Sequence, residues 1–301
     1  MTIACIGECM VELAPAGEGM FRQAFAGDVF NTAWYLKALS ATPVRFVSAI
    51  GTDPLSDAMA AFIGSQGIDT SHILRLPNAT VGLYLITLTG AERSFTYWRG
   101  QSAAKQLADD PARLAAALEG AALAYLSGIT LAILSAEARA RLFVVLAQFQ
   151  KRGGQIAFDP NIRLRLWPDR AEMDASLAAA YALADFAFPS FDDETTIYGD
   201  ASPSATIHRL TAWGAREIVV KNGPLPTLVH ANGQTHELPP PAVTDARDTT
   251  GAGDSFNAGY LNARLNGTDA LTAVRAGQSL AAEVIRHPGA LIPPDALARF
   301  R

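Results

Sequence analysis

The sequence predicts an α/β fold, with a mainly parallel sheet, helices on both faces and a small separate β-sheet. Three observations support this. Short apolar runs end in Gly, Asp or Pro, as buried strands do. Helical patterns fall between those runs, and strand–helix alternation produces a parallel sheet covered on both sides. Two further regions read as strands without a helix between close neighbours.

In chain order, the first apolar run is 3–6, closed by Gly7, and the second is 44–50, closed by Gly51. Others are 123–126 before Ser127 and Gly128, 155–158 before Asp159 and Pro160, 186–188 before Pro189, and 218–220 before Lys221. Helices are expected over 31–39, 135–151, 205–213 and 271–286. In the second of these, Ala138, Leu142, Val145, Leu146 and Phe149 recur at helical spacing. In such sheets ligands bind beyond the carboxyl ends of the strands, where the Gly, Asp and Pro endings fall. The irregular regions are 20–26 and 81–98. In the second, Leu83, Leu85 and Thr87 alternate with Tyr84, Ile86 and Leu88, and Thr89, Gly90, Ala91 and Glu92 read as a hairpin turn. A lid over roughly 12–27 and 80–100 is expected, on one domain spanning 1–301. No repeat or long linker divides the chain, and Pro239, Pro240 and Pro241 form a local stiff connection.

Composition narrows the class of function. Of 301 residues, 50% are hydrophobic and 18% charged, which is ordinary for a globular protein. A net charge of -5 offers no electrostatic reason to expect nucleic acid or an anionic membrane as partner. Cys5 and Cys9 lack a neighbouring Cys or His cluster, so buried thiols are expected, not zinc ligands. No basic segment followed by an apolar run opens the chain, and no apolar stretch is clean enough to span a bilayer. A cytoplasmic setting is expected.

The stretch from Asp248 to Phe256 carries chemistry. Gly251, Ala252 and Gly253 stand before an apolar, helix-like run, so backbone N–H groups and the helix dipole converge there on an anion. Such a hole suits a transferring phosphoryl group. Asp254 follows in the first turn, where a carboxylate can take the proton of an attacking hydroxyl. No Walker A loop occurs. The turn also lacks the third glycine of a dinucleotide fingerprint, which counts against a nicotinamide oxidoreductase.

These residues closely resemble the C-terminal signature of the PfkB, or ribokinase-like, carbohydrate kinase family. Gly27-Asp28-Val29-Phe30-Asn31-Thr32-Ala33 resembles its N-terminal signature. A narrower resemblance is to 2-keto-3-deoxygluconate kinases. It rests on the Ile6 to Leu13 opening, Phe95 to Arg99, Asp159 to Arg163, Leu166-Trp167 and Phe188 to Glu194. The resemblance implies a three-layer α/β/α main domain with a β-sheet lid, and ATP and Mg2+ as cofactors. The implied reaction is transfer of the γ-phosphate to the 6-hydroxyl of 2-dehydro-3-deoxy-D-gluconate. Asp254 would be the base, and Gly251, Ala252 and Gly253 the anion hole. Gly27, Asn31, Tyr84, Tyr97, Arg99 and Arg163 would contact the sugar acid. Ser190, Lys221, Gly223 and Gln278 would lie on the nucleotide side. Asp248 and Thr250 flank a loop that holds a monovalent cation, such as K+, in some relatives.

Arg99 and Arg163 also suit a sugar acid on physical grounds, since Arg binds carboxylates through paired N–H bonds. Arg165 reads as a solvent or loop residue. The sequence departs from the family in two places. Ser190 and Asp193 stand where many relatives have Asn and Glu, which leaves the metal ligands unassigned. Met10 and Glu12 stand where ribokinases hold the sugar with Asn and Asp, which argues against ribose. Two alternatives stay open: another sugar kinase such as a fructokinase, or a catalytically silent sugar-binding relative. An exposed face of the lid sheet invites a second copy, so a homodimer is expected.

Overall fold

The computed structural model describes residues 2–89 and 92–301. The Gly90 and Ala91 positions of the expected hairpin turn lie outside the described residues. The strands are β1 (Thr2–Ile6), β2 (Met10–Gly17), β3 (Met20–Ala26), β4 (Val44–Ile50), β5 (Ile73–Arg75), β6 (Leu83–Thr89), β7 (Glu92–Trp98), β8 (Ala121–Ser127), β9 (Gln155–Asp159), β10 (Phe186–Ala187), β11 (Glu217–Val220), β12 (Thr227–Ala231) and β13 (Gln234–Leu238). The helices are α1 (Asp28–Leu39), α2 (Pro54–Ser65), α3 (Pro111–Ala117), α4 (Gly128–Ile133), α5 (Ala136–Lys151), α6 (Arg170–Leu183), α7 (Phe191–Tyr198), α8 (Pro203–Ala212), α9 (Ala252–Leu265) and α10 (Ala270–Val284).

Helix starts follow from local chemistry. Asp53, Asp110, Ser135, Ser202 and Asp269 each accept a backbone N–H of the turn that follows, and Pro occupies the first helical position of α2, α3 and α8.

Among the described residues nine strands form the main sheet, in the order β13-β12-β11-β10-β9-β8-β1-β4-β5. Pairing is parallel from β11 to β5, while β12 and β13 add antiparallel at one edge. The strands alternate between two cores. Ile3 and Cys5 face a core shared with Phe30 and Tyr35 of α1 and Tyr260 and Leu261 of α9. Ala4 and Ile6 face the opposite core, with Leu142 and Phe149 of α5 and Leu177 and Tyr181 of α6. This is the three-layer α/β/α arrangement. Both faces of the central strands are apolar because helices cover both. Glycine brings α9 and α10 close together. A Cβ on Gly277 would lie 2.8 Å from the Phe256 carbonyl oxygen, and one on Gly259 would lie 3.0 Å from the Gly277 Cα.

The second sheet has the order β3-β2-β6-β7. It includes β2 besides the two irregular regions, with β2 parallel to β6 and both hairpins antiparallel. Val11, Leu13, Phe25 and Leu83 join the main core. Met10, Ala26, Tyr84 and Ile86 form a small cluster of their own, against which Tyr97 packs. The chain runs from β1 outward to β4 and then returns to β8 on the other side. The carboxyl ends of β1 and β8 therefore flank a topological switch point, the place where sheets of this kind form a ligand crevice.

Candidate active site

The N-terminus of α9 faces that crevice. Gly251 caps the helix at φ 76°, and a Cβ there would lie 2.7 Å from the Ala290 carbonyl oxygen. Glycine fits both constraints, since it has no Cβ and tolerates the left-handed conformation. The Ala252 amide donates to the Thr249 carbonyl, and the Ser255 amide to Gly251. The Gly253 and Asp254 amides lie between them in the first helical turn, where N–H groups lack intrahelical acceptors. The turn can thus act as an anion cradle, with a carboxylate built into it.

Asn31, buried in the first turn of α1, donates from Nδ2 to Asp254 Oδ2 at 2.8 Å. Its Oδ1 accepts from the Gly27 amide at 3.4 Å. Gly27 is needed for close approach, because a Cβ there would sit 2.4 Å from the Glu8 carbonyl oxygen. Burial pushes the Asp254 carboxyl up to about 8; the nearby Asp28 and Asp159 charges add to this, and the Asn31 bond and Lys221 oppose it. Asp28 is fixed in turn by Asn161, whose Nδ2 donates to Asp28 Oδ2 at 2.8 Å.

Lys221 follows β11. Its Nζ donates to Asp159 Oδ2 at 2.6 Å and to Asn257 Oδ1 at 3.3 Å. A Cβ on Gly253 would lie 3.3 Å from that Nζ, so the ammonium stands beside the anion cradle. Ser190 bridges to Lys221 at the sheet end, and Gly223 turns the chain just after it at φ 54°. Arg163 donates to its neighbour's carbonyl, Ile162 O, at 2.8 Å and stands 3.6 Å from Asp193 Oδ2. Burial holds the Asp193 carboxyl above the usual range, against the pull of Arg163.

Glu12, Tyr84 and Tyr97 stand directly opposite one another across β2, β6 and β7. The Tyr84 hydroxyl donates to Glu12. Arg99, just after β7, pairs with the buried Glu8, just after β1. Among the described residues, the buried Glu8 Oε1 and Arg99 Nε atoms meet no hydrogen-bond partner. Arg165 lies 4.4 Å from the centre of the Tyr97 ring.

Most residues expected from the sequence thus meet at one crevice. Gly27, Asn31, Gly251, Ala252, Gly253, Asp254 and Lys221 are linked by direct contacts, and Arg99 joins them through Glu8. Gln278 does not. It is 5% exposed, and its amide nitrogen donates to Thr227 Oγ1 and the Leu238 carbonyl, tying α10 to β12 and β13. Its side-chain amide is thus engaged inside the protein. Asp28, Asn161, Asp159 and Asn257 belong to the crevice although no role was expected for them. Asp159 and Asn161 end a predicted strand, and Asn257 stands one helical turn after Asp254. Those spacings were the available signal. Arg165, read as a solvent or loop residue, is exposed, with its guanidinium over the Tyr97 ring.

The chain is 40% identical over 305 residues to the 2-dehydro-3-deoxygluconokinase of Dickeya dadantii (strain 3937), covering 98% of both. It is 30% identical to a fructokinase of Klebsiella pneumoniae, over 85% of this chain and 82% of that one. Its fold matches an Escherichia coli protein described as a ribokinase II, solved with ATP and Mg2+, at a TM-score of 0.83 and 22% identity, covering 96% of this chain and 94% of that one. The model of the pfkB family carbohydrate kinases matches residues 2–297. With a carboxylate set in an anion cradle at the switch point of a three-layer sheet, the chain belongs to the pfkB family of carbohydrate kinases.

Proposed function

We propose that this protein transfers the γ-phosphate of ATP to the 6-hydroxyl of 2-dehydro-3-deoxy-D-gluconate, giving 2-dehydro-3-deoxy-6-phosphogluconate and ADP. The observation that carries the reaction type is Asp254 in the first turn of α9, oriented by Asn31 beside the Gly253 amide. Asp254 takes the hydroxyl proton as the oxygen attacks phosphorus, and the bond to the ADP oxygen breaks. The amides at the α9 N-terminus and the Lys221 ammonium face the charge that develops on the phosphoryl oxygens. The 40% identical relative supports this substrate, and so does Arg99 just after β7 of the small sheet.

Mg2+, when bound with ATP, supplies charge that offsets the phosphates. No group of three His, Cys, Asp or Glu among the described residues is placed to hold a metal ion. In nucleotide sites Mg2+ is held mainly by phosphates and water, with one or two carboxylates. Asp193, whose carboxyl feels both Asp159 and Lys221, is the candidate carboxylate on that side. Glu194 is engaged by Tyr181 and Arg209 and is not available. A K+ ion at the loop of Asp248 and Thr250 belongs to the same proposal and rests on the resemblance alone. So do the lid role of the small sheet, with Tyr84, Tyr97 and Arg99 on the sugar acid, and a homodimer formed through that sheet.

A coupled ADP-release assay on purified protein tests the substrate. The sugar acid should exceed fructose by at least ~100-fold in kcat/KM, a lower bound beside the ~10⁴- to 10⁵-fold by which a site built for a polar group rejects an analogue lacking it. Faster phosphorylation of fructose would replace this reading with that of a fructokinase. No ADP release with any sugar would leave a silent relative.

A further inference from the structure

Asn257 is fully buried, yet all of its amide atoms are used. Its Nδ2 donates to Asp159 Oδ2 at 2.6 Å and to the Tyr125 hydroxyl at 3.0 Å, while its Oδ1 accepts from Lys221 Nζ at 3.3 Å. The bonds continue in the other direction. The Tyr125 hydroxyl lies 3.2 Å from Thr32 Oγ1, which lies 3.2 Å from the Asp254 carbonyl oxygen. A buried chain of hydrogen bonds therefore runs beneath the crevice from the backbone of Asp254 to the Lys221 ammonium.

We propose that Asn257 is a positioning residue that fixes the Lys221 ammonium beside the Gly253 amide, in register with Asp254. The inference rests on the phosphoryl-transfer reading of the same site. Lysine is a compact charge on a flexible stem, so one carboxylate partner leaves its ammonium free to swing. Asp159 would be such a partner alone. Here Asp159 is itself held, since Oδ1 accepts the Asn161 amide at 3.0 Å and Oδ2 accepts both Lys221 and Asn257. Asn257 supplies the second acceptor that sets the direction of the ammonium. Asp254 and Asn257 are three residues apart, so they share one face of α9, and the helix that carries the base also aims the cation.

The test is a double-mutant cycle read as kinetics, with melting temperature recorded for each variant. Asn257→Ala should lower kcat/KM for ATP by ~10- to 100-fold while the KM for the sugar acid changes less than about twofold, as expected when a transition-state group is misplaced. Tyr125→Phe, which keeps the ring and removes only the hydroxyl, should act in the same direction by ~3- to 10-fold, and it carries the test if Asn257→Ala does not fold. In a Lys221→Met background, either change should add less than about twofold, because its effect passes through the lysine. If Asn257→Ala loses as much in that background as alone, the positioning role is overturned and the kinase reading stands. The same holds if only the melting temperature falls while kinetics per active site are unchanged. If Lys221→Met itself keeps normal turnover and ATP affinity, the phosphate role of the lysine falls, and the positioning role with it.

Discussion

Asp254 faces two opposing demands. As the proposed base it must be ionised, yet it is half-buried beside Asp28 and Asp159, and burial is the larger cause of its raised pKa. Ionised, it is a liability to the fold. The native state, with the group at about 8, binds more protons than an unfolded chain whose group titrates near 3.8. Stability therefore falls as pH rises through that window. Asp254→Asn removes this titration. Its melting temperature should match that of the parent near pH 4, exceed it increasingly up to about pH 8, and hold that margin above. Turnover should meanwhile drop by ~10²- to 10⁴-fold with ATP still bound. Near-normal turnover would remove Asp254 as the base. In the parent, kcat/KM should climb with pH to a limb near 8. Asp28→Asn keeps an oxygen for Asn161 but removes the charge that is the second cause of the shift, so it should move the limb to lower pH. A limb that stays in place would show that Asp28 does not act on Asp254.

At the scale of elements, α9 is useful because of what α10 lets it do. Gly277 allows the Phe256 carbonyl to approach within 2.8 Å of where a Cβ would stand, and both partners in that contact are backbone. Neither can rotate away. Gly277→Ala should therefore cost about 1–3 kcal/mol in denaturant unfolding. It should also lower turnover, because α9 carries Asp254 and Asn257 on its shifted end. A change within ~0.5 kcal/mol would mean that the helices part freely. Such contacts explain the limits of the sequence. The run Asp248 to Phe256 shows the glycine turn and its carboxylate, since both are local. Gly277 inside an Ala-rich helix gives no sign of what approaches it. Asp159, Asn257 and Lys221 come from three elements, so only the sheet order brings them together. The exposed, polar β13 has no apolar run to reveal it. Gln278 is a related case, since a polar side chain on α10 reads as available until its buried partners are known.

At the scale of the molecule, the small sheet is the part whose chemistry remains exposed. Its order β3-β2-β6-β7 leaves β3 and β7 as edges. Met20 and Phe21 of β3 are 62% and 48% exposed, and Trp98 at the end of β7 is 57% exposed. Large apolar side chains at unpaired strand edges attract a partner strand or face unless something covers them. The main domain does not, since it already takes Val11, Leu13 and Leu83 from this sheet into its own core. A second copy offers the same apolar residues and the same edges, and self-complementary patches favour a two-fold pair. Light scattering at micromolar concentration should then give twice 31.9 kDa. Trp98→Lys should shift the species to monomer with little change in melting temperature, because the side chain is largely outside the monomer's core. A monomeric parent would refute pairing through this sheet. A dimer that persists in both Trp98→Lys and Phe21→Lys would place the contact elsewhere. If the pair forms, it also bears on catalysis, because Tyr84 and Tyr97 belong to the same four strands and Arg99 follows β7. Dimer and monomer should then differ in KM for the sugar acid more than in KM for ATP.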